Sequence, residues 1–249
     1  MNLIFLDTET TGLNTDPYAR LCQLAYKSKD TVMNELFKPP VAISVGAMSV
    51  HHITEAMVKD RPAFKDTEHY TNLKKLLEKK SSIVIAHNAR FDLDMLKRED
   101  VAPHSYICSL IVAQNILTDK DKPTNFKLQT LRYSLGISEI DAKAHDAQGD
   151  VEVLEKVFEK LIEKATEKAN AWAVAKNKPV WTREQIIARF VEMSMSNTEQ
   201  VKVFTFGKHQ GKALEAVIKE DRRYCEWLVN NAKDPNDRVI VSLRCLLNK

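Results

Sequence analysis

The sequence predicts an α/β protein: a main body over residues 1–165, a helical linker over 166–200 and a small basic α+β module over 201–249. Three observations carry this. Apolar runs at Leu3–Asp7 and Ser82–Ala86 have the length of buried strands, and the second passes directly into a helical pattern. Residues Ala147–Ala165 place Val151, Leu154, Phe158, Leu161 and Ala165 at i, i+3 and i+4 spacings on one stripe, as a core-facing helix requires. After residue 165 the character changes, and polar Ser194–Gln200 precedes a new apolar series.

Taken in order, Leu3–Asp7 is the first strand. Leu21–Lys27 and Thr31–Phe37 are strands joined by a turn at Ser28-Lys29-Asp30, and Pro39-Pro40 ends the pair. Ser82–Ala86 is the next strand. A helix at Ala89–Lys97 follows, with Asn88 placed as its N-cap. Leu110–Leu117 and Leu128–Leu135 are helical. The long helix from Ala147 can continue through Lys168–Ala173 until Asn177-Lys178-Pro179 breaks it. Thr182-Arg183-Glu184-Gln185 is a capping-box pattern that opens a helix to about Met193. The C-terminal module begins with strand-like Val201–Phe206, turns at Gly207–Gly211 and continues in two or three short helices.

Composition narrows the function class. Apolar residues are 44% and charged residues 29% of 249, a globular mix, and 6 Gly with 8 Pro exclude collagen-like and long disordered readings. No run of 18 apolar residues exists to form a membrane span. The start, Met1–Asp7, has no basic segment and too short an apolar stretch for a signal peptide. The four cysteines, Cys22, Cys108, Cys225 and Cys245, form no C-x-x-C pair, so the expectation is a reducing, cytoplasmic compartment. Residues 201–249 hold 10 Lys/Arg against 6 Asp/Glu, whereas residues 1–200 hold 27 against 28. A near-neutral body with a basic tail suits nucleic-acid contact and equally suits an ordinary solvated surface.

Three acidic motifs carry the chemistry. In Asp7-Thr8-Glu9, strand alternation puts Asp7 and Glu9 on one face. Two adjacent anions repel unless a cation lies between them, and an all-oxygen site suits Mg²⁺ or Mn²⁺; the alternative is a polar strand end with Asp7 capping a turn. In His87-Asn88-Ala89-Arg90-Phe91-Asp92, a strand hands over to a helix, where α/β sheets place ligands. Asp92 falls about one turn into that helix, facing back toward the sheet. Capping by Asn88 and core packing by Phe91 explain those two residues equally well, and they explain His87 poorly. In His145-Asp146-Ala147-Gln148-Gly149-Asp150, the long helix starts near Asp150, so His145 belongs to the entering loop, from which both can reach one cleft; Asp146 is an alternative carboxylate.

Together, the order and separations of these motifs resemble the three exonuclease motifs of the DnaQ-like superfamily, in its DEDDh subgroup. Val50-His51-His52-Ile53-Thr54-Glu55-Ala56-Met57 and Phe204-Thr205-Phe206-Gly207-Lys208-His209-Gln210-Gly211-Lys212 look most like the bacterial exonuclease X branch. The resemblance implies an RNase H-like mixed five-stranded sheet flanked by helices. It implies 3′–5′ phosphodiester hydrolysis at DNA ends, single-stranded or duplex, releasing 5′-mononucleotides in repair or turnover. An exoribonuclease and a non-catalytic nucleic-acid-binding protein are the alternatives on the same scaffold. Asp7, Glu9, Asp92 and Asp150 would hold two Mg²⁺, with Mn²⁺ also accepted, and His145 would be the general base. Leu13, after Gly12, would wedge against the terminal base. Backbone around Thr8, Thr10 and Thr11 would meet the 3′-hydroxyl. Val50, His51 (or His52) and Ile53 would line the nucleotide pocket, with Asn88 and Phe91 closing another side; core packing is the alternative for Leu13, Val50, Ile53 and Phe91.

In the C-terminal module, Lys208, His209, Lys212, Arg222 and Arg223 are interleaved with Phe204, Phe206, Tyr224 and Trp227. The aromatics read as the core of a small domain and the lysines as solvent or phosphate contacts. Gly207–Lys212 departs from a nucleotide-binding P-loop, because Gly211-Lys212 is followed by Ala213.

Overall fold

Strand β1 (Asn2–Thr10) lies at the centre of the sheet because it is apolar toward both faces over its first half and polar at its end. The computed structural model describes residues 1–29, 31–117, 121–139, 147–196, 201–232 and 237–247. β1 pairs antiparallel with β2 (Leu21–Lys27), which pairs antiparallel with β3 (Val32–Leu36). On its other side β1 runs parallel to β4 (Ser82–Ala86), and β4 runs parallel to β5 (Tyr106–Cys108). The order β3-β2-β1-β4-β5 is the mixed five-stranded sheet expected.

Helices follow in chain order: α1 (Val45–His51), α2 (Glu55–Val58), α3 (Glu68–Leu77), α4 (Arg90–Arg98), α5 (Ser109–Ile116), α6 (Leu128–Ser134), α7 (Ala147–Ala175) and α8 (Arg183–Ser196). Strand alternation sorts the core into two layers. Phe5, Ala25, Ile83, Ile85 and Ile107 pack with Val151, Leu154, Phe158 and Leu161 of α7. Ile4, Leu6, Leu24 and Val84 pack on the opposite side with Leu73 and Leu77 of α3 and Leu96 of α4. The Phe5 and Phe158 rings meet edge to face at 5.6 Å, fixing α7 against β1.

The chain divides into two units, Met1–Met195 and Ser196–Lys249. This corrects the expected linker over 166–200, since α7 runs on to Ala175 and α8 belongs to the first unit. Its capping box forms, with Thr182 N donating to Gln185 Oε1 (2.8 Å) and Gln185 N to Thr182 Oγ1 (3.3 Å). Ile186, Ile187 and Phe190 then enter the core. Ser194, expected in a polar linker, is buried. Its hydroxyl donates to Phe190 O and accepts from Cys108 N, both at 2.8 Å. That bond caps the backbone of the edge strand β5, which would otherwise expose unpaired groups.

In the second unit, strand-like Val201–Phe206 proves to be a single bridge, Val203 with Ala213. Helices α9 (Leu214–Glu220), α10 (Arg222–Asn231) and α11 (Arg238–Leu247) enclose a core of Phe204, Leu214, Val217, Cys225, Leu228, Val239, Ile240 and Leu243. With the helices supplying the core, the first segment needs no ladder.

Candidate active site

The polar end of β1 gathers side chains from both layers. Asp7 and Glu9 lie on the α7 side of the strand, and Asp150 stands in the first turn of α7. Ligand oxygens of Asp7, Glu9 and Asp150 all lie within 4.8 Å of one another. A carboxylate at a helix start also gains from the partial positive charge there. Gln129 of α6 donates to Asp150 Oδ1 at 2.9 Å, and Arg132 Nη1 donates to Gln129 Oε1 at 3.4 Å. This relay orients Asp150, and no spacing signal in the sequence announced it.

Asp92 approaches from α4 on the other side. It is 2% exposed, and its Oδ1 accepts from both the backbone N (3.0 Å) and the hydroxyl (2.8 Å) of Thr8. β1 pairs with β4 only as far as Phe5, so Asp92 satisfies a strand N–H that β4 no longer reaches. Burial pushes its carboxyl up to about 7, against the opposing effect of the Thr8 donors. The structure thus brings together three of the four expected carboxylates. The fourth sits beside them on Thr8, the residue between Asp7 and Glu9.

A bulge completes the strand end. Glu9 pairs with Gln23 and Thr10 with Leu21, leaving Cys22 as the extra residue. The hydroxyl of Thr10 donates to Gly12 O at 2.6 Å, tightening the turn that presents Leu13, 66% exposed. Arg98 of α4 fixes the loop beyond: its guanidinium donates to the carbonyls of Asn14 (2.7 Å), Asp16 (2.8 Å) and Ala19 (2.8 Å). Sequence reasoning missed Arg98, which is 79 or more positions away from these partners.

The pocket residues divide. Val50 is exposed and belongs to neither core layer, and Phe91 is half-buried. Ile53 takes the core alternative: it is buried with Cys22, Ile43 and Val58, because the turn after α1 folds it inward. His51 is also buried. Its Nε2 must donate to Thr10 O (3.1 Å), so its Nδ1 accepts from Ile53 N (3.0 Å). It braces the β1 end rather than presenting a free ring nitrogen, and His52 caps α1 in the left-handed region at φ 62°. The expected N-cap role of Asn88 is corrected. Asn88 also adopts a left-handed conformation, φ 60°, and Ala89 takes the cap position of α4 with no side-chain bond. Asn is among the few side-chain types that tolerate this backbone.

His87 is structural. Nε2 must donate to Phe126 O (2.9 Å), which makes Nδ1 the acceptor of the Ser109 hydroxyl (2.9 Å). Burial holds its pKa down, to about 4. His145 and Asp146 lie outside the described residues.

The donor set fits divalent metal: three converging carboxylates, oxygen ligands only, with a fourth carboxylate adjacent. Among the described residues, no helix is long and apolar enough to cross a membrane.

Comparisons with known proteins agree with this geometry. The model of a family described as Exonuclease matches residues 4–158, and that of the Exodeoxyribonuclease X-like C-terminal family matches residues 204–233. The chain is 29% identical to Exodeoxyribonuclease 10 of Escherichia coli (strain K12), over 97% of this chain and 97% of that protein. Among solved structures it is similar to Exonuclease X in complex with 5′ overhanging duplex DNA, with a TM-score of 0.55 and 23% identity, over 77% of this chain and 99% of that one. It is also similar to the nuclease domain of 3′hExo, a DEDDh family member, bound to rAMP, with a TM-score of 0.51 and 15% identity, over 65% and 92% of the two chains.

Proposed function

The chain belongs to the Exonuclease family, and on that premise we propose that it is a metal-dependent 3′–5′ exodeoxyribonuclease, releasing 5′-mononucleotides from DNA ends in repair or turnover. The observation that carries this reading is the convergence of Asp7, Glu9 and Asp150 at the open end of β1. The choice of DNA rests on likeness over nearly the full length to an exodeoxyribonuclease. The Cys22, Cys108 and Cys225 thiols are free and buried, which suits work in the reducing cytoplasm.

Asp7, Glu9, Asp92 and Asp150 would hold two divalent ions, Mg²⁺ or Mn²⁺. When bound, such ions activate the attacking water and stabilise the leaving 3′ oxygen. The chain's own residues do the rest. Thr8 holds Asp92 beside the cluster, and Gln129 holds Asp150. The exposed Leu13 side chain wedges beside the terminal base, with Val50 and Phe91 on the flanks and the backbone of Thr8–Thr11 toward the 3′-hydroxyl. His145, five positions before Asp150 in the sequence, would take the proton of the attacking water, because a histidine with pKa about 6.5 is matched to that task near neutrality.

Matched 5′-labelled DNA and RNA, incubated with Mg²⁺, Mn²⁺ or chelator, test the reading. Metal-dependent shortening of DNA from its 3′ end, absent in Asp7→Ala, is expected. Binding without degradation of either strand would place the chain among non-catalytic relatives of the fold. His145→Ala should cut turnover strongly and spare metal and DNA binding; a rate near wild type across pH 6–9 would refute its role.

A further inference from the structure

The second unit keeps a large aromatic side chain out of its core. Trp227 is 57% exposed on α10, while its neighbours Cys225 and Leu228 point inward. A module of this size has few apolar side chains with which to stabilise itself, so an indole left in water is a cost in need of an explanation. Its expected place in the core, with the other aromatics of the module, is therefore corrected.

The indole is also held in place. It stacks on Tyr224, with centroids 6.4 Å apart and planes 20° from parallel. Tyr224 in turn is gripped by the turn at Gly207–His209. Lys208 Nζ lies 4.5 Å over its ring, and the His209 ring meets it edge-on at 5.1 Å. Gly207 lies so close that a Cβ there would clash with the Tyr224 hydroxyl, and its φ is +75°. Asp221 ties the turn to the start of α10, accepting from Lys208 (2.6 Å), His209 (3.1 Å) and Tyr224 N (3.3 Å). The glycine- and lysine-bearing turn thus positions an aromatic pair.

We propose that the outer face of Trp227, backed by Tyr224, is a stacking platform for an unpaired base of the DNA strand, with Arg223 beside it for a phosphate. Charge selects this occupant. Arg223, exposed, stands four residues before Trp227 and so on the same helix face, and the module carries 10 Lys/Arg against 6 Asp/Glu. A rigid aromatic surface beside an exposed arginine matches a strand that offers a π-face at each base and a charge at each phosphate. The inference rests on the nucleic-acid reading above and assigns the C-terminal module its part in it.

The test uses the full chain with Asp7→Ala, so that DNA is bound without being cut, and Trp172→Phe with Trp181→Phe, so that Trp227 is the reporter. Oligo(dT) should quench its fluorescence, and an abasic strand of equal length should not. In the Asp7→Ala chain with its other tryptophans intact, Trp227→Ala should weaken oligo(dT) binding about tenfold and Trp227→Tyr should restore most of it, with melting unchanged because the side chain is exposed. Equal quenching by the abasic strand would leave only charge and overturn the platform. So would unchanged affinity in Trp227→Ala, including the case in which a dimer becomes a monomer and the face joins two copies. Hydrolysis of a small nucleotide ester by the wild-type chain decides the exonuclease reading separately.

Discussion

Thr8 donates twice to one oxygen of Asp92, through its backbone N–H at 3.0 Å and its hydroxyl at 2.8 Å. The carboxylate is thereby buried beside the acidic cluster yet held by neutral donors alone in these two bonds. Burial raises its pKa to about 7, so the charged form is the disfavoured one in the metal-free protein. Asp92→Asn keeps an oxygen that can accept both Thr8 bonds and removes the charge. In chelator at pH 8 its Tm should rise by a few degrees, while Mg²⁺-dependent DNA cleavage falls to background. A melt showing loss of stability would mean that the carboxylate is a structural anchor.

Arg98 and the Leu13 loop form a second dependence. Three carbonyls, of Asn14, Asp16 and Ala19, converge on one guanidinium. A planar fork can meet all three, whereas an ammonium is a single point. Arg98→Lys should therefore behave nearly as Arg98→Ala, each raising KM for an oligonucleotide several-fold and speeding proteolysis within residues 13–20. Steady-state kinetics of the lysine variant indistinguishable from wild type would show that the fork is dispensable.

How far the site could be read in advance follows from distance along the chain. Asp7 and Glu9 are set by the period of a strand, and Ser82–Ala86 and the stripe of α7 are set by local apolar pattern. β5 spans three residues, too short to show a period, and the helices between Val45 and Leu77 lie where no motif drew a boundary. Ser194 is polar and looked like linker, but a hydroxyl can be buried when its donor and acceptor are both used, as they are against Phe190 and Cys108. Ile53, open between pocket and core, is buried, and Trp227, expected in the core, is exposed, because apolarity says that a side chain prefers cover and not which neighbours supply it. His87 drew attention as unexplained. Its partners, Ser109 and Phe126, lie 22 and 39 positions away.

Gln129 ties Asp150 to Arg132 and makes metal affinity depend on a residue that need not touch the ion. Gln129→Leu keeps the volume of the α6 side chain and deletes the donor. Removal of partners that orient metal ligands costs about 10–100-fold in affinity. Mn²⁺ titration by calorimetry should show a loss in that range, with Tm in chelator little changed. Unaltered Mn²⁺ affinity would mean that Asp150 is oriented by the helix start alone.

His87 makes the first unit acid-sensitive in a defined window. Its imidazole ionises at about 4 in the folded chain, because burial opposes the charge, against about 6.5 when unfolded. Between those values the unfolded chain binds the extra proton, so stability falls as pH drops from about 6.5 to 4, and this contribution levels off below 4. Above 6.5 both states are neutral and His87 adds no pH dependence. His87→Gln preserves a donor for Phe126 O and an acceptor for the Ser109 hydroxyl, and it cannot titrate. The wild-type Tm should therefore decline more steeply than that of the variant between pH 6.5 and 4.5, with the two curves parallel from pH 7 to 8. Parallel curves through the acid range would show that His87 accepts its proton in the folded state without penalty, with Nδ1–H donating to Ser109 Oγ and the Ser109 hydroxyl turning to Ala86 O.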